Sequence, residues 1–154
     1  MLHYVLMLAA CMGLVMSAQA DPPSNTDKRG LAIKGYDPVA YFPEYGGEPT
    51  KGKKDLAVEH AGATYRFASE ANRKVFLSDP EAYAPAYGGW CAYAMAEGET
   101  VRVDPKRYEF HEGRVYLFYR DWFTDTLKPW QEDRDALQVR ADQAWSEIVQ
   151  ASEE

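Results

Sequence analysis

Cys91 lies in the run Tyr87-Gly88-Gly89-Trp90-Cys91-Ala92-Tyr93-Ala94-Met95. The spacing predicts a helix over residues 90–97, opened by Gly88-Gly89 and followed by Gly98 in the left-handed position that ends many helices. Cys91 would then occupy the first turn, where unpaired backbone N–H groups and the helix dipole stabilise a thiolate. The thiolate is the form that attacks electrophiles and binds soft metals. Met95, four residues on, would share its face, so thiolate and thioether could converge on one soft ion, copper(I) above all. Tyr87 and Trp90 would line such a site. The same spacing also describes an apolar stripe, since cysteine and methionine are common core residues. Both readings stand at this point.

Little else in the chain suggests chemistry. There is no nucleophile elbow, phosphate loop, His-Glu-x-x-His or Cys-x-x-Cys. His111 falls in an expected exposed turn and His60 at a strand end, and the carboxylates are too scattered to nominate an acid and base pair. No catalytic residue is assigned, and an enzyme is the less favoured expectation.

The elements that must position Cys91 read as α+β: two β-hairpins with short helices and a closing amphipathic helix. Residues 51–54 look like a solvated loop. Leu56, Val58 and His60 then share one strand face, Ala61-Gly62 turns, and Thr64-Tyr65-Arg66-Phe67 returns. Ser69 is placed to cap a helix reaching about Leu77, and Asp79-Pro80 to start a further turn with Tyr83 inward. Tyr108-Glu109-Phe110, a turn at 111–113 and the strand 115–119 form the second hairpin. Leu137, Ala141, Ala144, Trp145 and Ile148 recur at helical spacing, with Trp145 expected in the core. Tyr45-Gly46-Gly47 and Tyr87-Gly88-Gly89 repeat a tripeptide with no matching surroundings.

The first 17 residues carry no Asp, Glu, Lys or Arg and end near Ala18-Gln19-Ala20, a signal-peptidase pattern followed by the polar run from Asp21. Residues 1–20 therefore read as a signal peptide, 21–29 as a flexible leader and 30–150 as one domain. Leu8-Ala9-Ala10-Cys11 resembles a lipobox, but the apolar run continues past Cys11, which leaves with the signal. An uncleaved anchor is the alternative, since the run nearly spans a bilayer. Export implies a periplasmic or otherwise extracytoplasmic site, where an unpaired Cys91 is unusual. The net charge of −7 argues against nucleic acid and anionic membrane surfaces. Once the signal is removed no membrane association is expected.

From Gly35 to about Ile148 the chain resembles the YHS domain family in its exported, single-domain branch. The resemblance rests on Gly35-Tyr36-Asp37-Pro38-Val39-Ala40-Tyr41-Phe42, on Thr64-Tyr65-Arg66-Phe67-Ala68-Ser69-Glu70, and on Phe76 with Asp79-Pro80-Glu81-Ala82-Tyr83. Above all it rests on Tyr87-Gly88-Gly89-Trp90-Cys91-Ala92-Tyr93-Ala94. It implies a small α+β fold and, in the cytosolic and metal-pump branch, soft-metal binding through cysteines. Those cysteines correspond to Ala40, Ala68 and Asn72 here, so that metal site does not carry over. The exported branch centres on the Tyr-Gly-Gly-x-Cys-Ala motif, whose cysteine is selenocysteine in some relatives, which points to redox or soft-ligand chemistry at Cys91; Tyr36 and Asp37 are further candidate lining.

Three functions follow as expectations. The first is an extracytoplasmic protein holding a copper ion at Cys91 and Met95, with a metal-handling system or unknown protein as partner. The second is a thiol redox protein or reductase partner using Cys91. The third is a metal-free interaction module in which Cys91 is inert. Access to the sulfur separates the third from the others.

Overall fold

The computed structural model describes residues 23–153, so the expected signal peptide, its expected cleavage site and Cys11 lie outside the described residues. The fold is α+β, built on two separate antiparallel hairpins. The first joins β1 (Lys53–His60) to β2 (Ala63–Phe67), and the second joins β3 (Asp104–His111) to β4 (Arg114–Phe118). Between them lie α1 (Glu70–Ser78), α2 (Pro80–Tyr83) and α3 (Ala92–Met95). After them come α4 (Leu127–Glu132) and α5 (Arg134–Ser152). No helix among the described residues is long and apolar enough to cross a membrane.

The two hairpins are copies of one plan. Each has a long first strand, a two-residue turn in the left-handed region and a short return strand, with a register shift at the same place. The turns are Ala61-Gly62 (φ 47° and 71°) and Glu112-Gly113 (φ 48° and 75°), the geometry that follows the natural strand twist. With the registers aligned, His-x-Gly-x-x-Tyr-x-Phe occurs twice: His60, Gly62, Tyr65 and Phe67, then His111, Gly113, Tyr116 and Phe118. The tripeptide repeat at Tyr45 and Tyr87 does not mark this duplication.

Burial explains how the hairpins are held. In β2, Ala63, Tyr65 and Phe67 face a core that includes Val39, Tyr41 and Phe76. In β4, all of Val115, Tyr116, Leu117 and Phe118 are buried, because alternate residues face opposite ways. Val115 and Leu117 enter the first core, whereas Tyr116 and Phe118 enter a second one with Met95, Leu127, Trp130, Leu137 and Ala141. β4 is thus the wall between two cores.

Ser69 caps α1 by accepting from the Asn72 N–H, and Asp79 caps α2 with Pro80 in its first turn. Four expectations need correction. β1 begins at Lys53, inside the segment read as loop, because paired backbone tolerates exposed lysines on a sheet edge. α4 was not anticipated: six residues containing Pro129 show no helical period, and burial of Trp130 is what fixes it. Trp145 is half-buried, not fully enclosed. The leader is held from Pro23 onward. Its Asn25 N–H donates to the Gly88 carbonyl, the Asn25 amide to the Gly89 carbonyl, and the Trp90 indole N–H to the Pro23 carbonyl at 2.7 Å.

Candidate functional site

Cys91 does not lie in the first turn of a helix. Tyr87, Gly88 and Gly89 are all left-handed (φ 57°, 59° and 81°), Trp90 is extended, and α3 begins only at Ala92 with Cys91 as its N-cap. The cause is tertiary: the Cys91 N–H donates to the Val101 carbonyl, and Cys91 forms a parallel bridge with Leu117 of β4. An extended residue cannot also be helical. The helix that remains has four residues, too short to supply the dipole that the sequence suggested.

The sulfur has no exposed surface. It is one of three groups in a closed cycle at the junction of β4 and the next loop. The Tyr119 N–H donates to Sγ at 3.4 Å, Sγ lies 3.3 Å from Thr126 Oγ1, and the Thr126 hydroxyl donates to the Tyr119 carbonyl at 2.9 Å. Sγ and Oγ1 are within hydrogen-bond distance, and either can be the donor. The sulfur thus completes the ring. Tyr119 and Thr126 are the two ends of one loop, and Cys91 fastens its base.

The other predicted site residues disperse. Cys91 packs in the first core and Met95 in the second, since an N-cap does not share a face with the residue four on. The Tyr87 hydroxyl donates to Asp142 at 2.9 Å beneath the Arg114 guanidinium. Burial, followed by that carboxylate, pushes the Tyr87 phenol up strongly. Trp90 covers the leader. Tyr36 lies under the Lys51 ammonium, which is 4.3 Å from its ring centre. None of these faces the Cys91 sulfur among the described contacts.

Asp37 has a different role from the one expected. It is fully buried, and its carboxylate accepts from Val39 N–H (2.8 Å), Ala40 N–H (3.3 Å), Ala68 N–H (2.8 Å) and the Asn72 amide (2.7 Å). Ala40, Ala68 and Asn72 are the positions where the resemblance placed cysteines, so these three positions do converge. What joins them here is a hydrogen-bonded carboxylate, with no thiolate available to an ion. Among the described residues no group of three or more His, Cys, Asp and Glu side chains could hold a metal.

The loop that Cys91 fastens was not singled out from sequence. It exposes Trp122 and Phe123 almost completely, at 96% and 97%. The turn beneath them is tightly tied. Asp121 accepts from the Phe123 and Thr124 N–H groups at 2.9 and 2.7 Å and from the Tyr119 hydroxyl at 2.6 Å. The Tyr119 hydroxyl, and after it those N–H groups, hold the Asp121 carboxyl below its ordinary value. The bidentate pair between Arg107 and Asp125 secures the far side. Adjacent aromatics between Asp121 and Thr124 are the only sequence signal, and it does not distinguish a knob from a core segment.

No curated protein and no solved structure matches the chain. The YHS domain is a family linked to metal binding, copper included. Its family model matches residues 45–87, from the turn at Tyr45 through the first hairpin, α1 and α2 to Tyr87, and stops short of Cys91. Over that span the chain is similar to the YHS domain family.

Proposed function

We propose that this protein is a non-enzymatic, extracytoplasmic interaction module of YHS type, in which Trp122 and Phe123 are the contact and Cys91 is the fastener of their loop. The observation that carries this reading is the contrast in exposure. The sulfur is sealed and hydrogen-bonded, while two neighbouring aromatic side chains stand in water on a rigid turn. Full burial of both is worth roughly 3–6 kcal/mol, and a turn already ordered loses little entropy on docking. Trp is among the residues most often dominant in protein interfaces. A protein pocket suits the pair better than a lipid surface, because a chain of net charge −7 is repelled by anionic headgroups. The lone-thiol redox reading needs a sulfur that another thiol can reach, and Cys91 offers none.

A copper ion at Cys91 and Met95 is the second reading. What favours it is the likeness of residues 45–87 to a family linked to metal binding; since the two sulfurs lie in separate cores, it would rest on Cys91 without Met95. One set of measurements separates the two readings. A photo-crosslinking residue at position 122, introduced in the full chain and activated in its own compartment, should give a discrete protein adduct that Phe123→Ala abolishes. Copper(I) affinity should be equal in the wild type and Cys91→Ser. A copper affinity lost in Cys91→Ser, or crosslinks to lipid alone, would overturn the module reading.

A further inference from the structure

The correspondence between the two hairpins extends well beyond their strands. Ahead of each lie three consecutive left-handed residues, Ile33-Lys34-Gly35 (φ 50°, 50° and 80°) and Tyr87-Gly88-Gly89. The next residue, Tyr36 or Trp90, is extended, with φ −74° in both. Asp37 and Cys91 follow, and their N–H groups donate to the Thr50 and Val101 carbonyls at 2.8 and 2.9 Å. Both side chains accept from the amide just after the return strand, Ala68 for Asp37 and Tyr119 for Cys91. Both also meet a polar side chain 35 residues on, Asn72 in the first case and Thr126 in the second. One ring then covers each return strand. Phe76 lies 5.0 and 5.1 Å from the Tyr65 and Phe67 ring centres, and Trp130 lies 5.4 and 5.6 Å from those of Tyr116 and Phe118. Cys91 thus stands where the first copy has Asp37, and α4 where it has α1.

The second copy is three residues shorter ahead of its hairpin and three residues longer after it. Three residues, Ser69 to Ala71, link Ala68 to Asn72, whereas six, Arg120 to Asp125, link Tyr119 to Thr126. The first copy shows that three suffice to join these points. The extra length is Trp122-Phe123-Thr124 at the loop tip, and it holds both exposed rings. The base of the loop is closed, since Arg120 and Asp125 form an antiparallel bridge and the Thr126 N–H donates to the Tyr119 carbonyl at 3.1 Å. The chain therefore leaves and returns at nearly the same point. Insertions at such exposed tips add surface without disturbing the elements they join.

The charged side chains of this loop are already engaged. Arg120 pairs with Asp104 at 2.8 Å, Asp125 with Arg107 at 2.8 Å, and Asp121 accepts from the Tyr119 hydroxyl. What the tip offers a partner is therefore its two rings. We infer that residues 33–76 and 87–130 are two copies of one structural unit and that Trp122-Phe123-Thr124 is an insertion in the second. It is a contact surface that the fold carries but does not need, shaped for an apolar cavity in another protein. The contact half of this inference rests on the role proposed above for Trp122 and Phe123, and the insertion half stands without it.

Deleting Trp122, Phe123 and Thr124 from the full chain gives the second copy the length of the first and keeps both ion pairs at the base. This variant should unfold cooperatively, with a thermal midpoint within about 8 °C of the wild type. The double substitution Trp122→Ser with Phe123→Ser, which keeps the loop's length, should stay within the same margin. Partner contact is read by competition against the chain that carries a photo-crosslinking residue at position 122. Unlabelled wild type in excess should suppress the protein adduct, and both variants should fail to suppress it. Because no loop charge is left to pair, added salt should leave the adduct yield unchanged. A larger fall in midpoint, or loss of cooperative unfolding, in either variant would make the loop part of the fold and overturn the insertion, whatever the crosslinks show. Suppression by the variants as strong as by the wild type, or an adduct that salt abolishes, would overturn the apolar contact. Absence of any adduct would overturn the contact as well, with the midpoints still deciding the insertion.

Discussion

At the scale of single residues, Cys91 shows how burial redirects a reactive side chain. A thiol behind two glycines suggests an acidic, accessible nucleophile, but accessibility is a property of everything packed around it. Here β4 and the loop after it enclose the sulfur, which accepts from the Tyr119 N–H and lies within hydrogen-bond distance of the Thr126 hydroxyl. Cys91→Ala should cost about 1–2 kcal/mol of stability, the usual effect of deleting a small buried group. A further consequence distinguishes a fastener from plain packing. The amides of Phe123 and Thr124 should exchange with deuterium several-fold faster in the variant, while those of β2 are unchanged. Unchanged loop exchange would remove the fastening role. Asp37 teaches the same lesson in reverse, since a carboxylate inside a motif becomes a structural node once four donors are turned toward it.

At the scale of elements, the hairpins and the capped helices were legible because their causes are local. A turn residue, an N-cap and an alternation of period two act within a few residues. The helix at Cys91 was misplaced because its first residues are held by Val101 and Leu117, partners distant in the chain. Gly88 and Gly113 offer a clean comparison of the two kinds of cause. Both have φ in the left-handed region, but a Cβ on Gly113 meets nothing within 4 Å, whereas one on Gly88 meets Trp145. Gly113→Ala should cost only about 1 kcal/mol of backbone strain. Gly88→Ala should cost that plus the displacement of an indole, roughly 2–4 kcal/mol in all. Chemical denaturation of the two variants is the measurement, and equal losses would mean that α5 yields freely.

At the scale of the whole molecule, α4 and α5 are joined to the second hairpin by one carboxylate. Glu109 accepts from the Trp130 indole at 2.9 Å, the Gln131 amide at 3.1 Å and Arg134 Nε at 3.0 Å. Desolvation raises the Glu109 carboxyl, but the Arg134, Gln131 and Trp130 hydrogen bonds outweigh it, so the net shift is downward. A lowered carboxylate stabilises the fold at and above the ordinary glutamate range, and that contribution is lost as pH falls through the lowered value. Glu109→Gln should therefore be less stable than the wild type at neutral pH by about 1–3 kcal/mol. In denaturation series at falling pH the difference should shrink below roughly pH 4. A gap that persists in acid would mean that shape, not charge, joins these helices.

The sequence by itself determined the α+β class, both hairpin turns, the caps of α1 and α2 and the inward stripe of α5, because each depends on neighbours within a turn or two. It also contained the His-x-Gly-x-x-Tyr-x-Phe duplication, which becomes visible only when the strand registers are paired. Tertiary structure decided which side chains meet. It sent Cys91 and Met95 into separate cores, gathered Ala40, Ala68 and Asn72 around Asp37, and left Trp122 and Phe123 in water while burying Trp130. Burial is set by the sum of all contacts in space, and residue spacing carries that information only where those contacts are local.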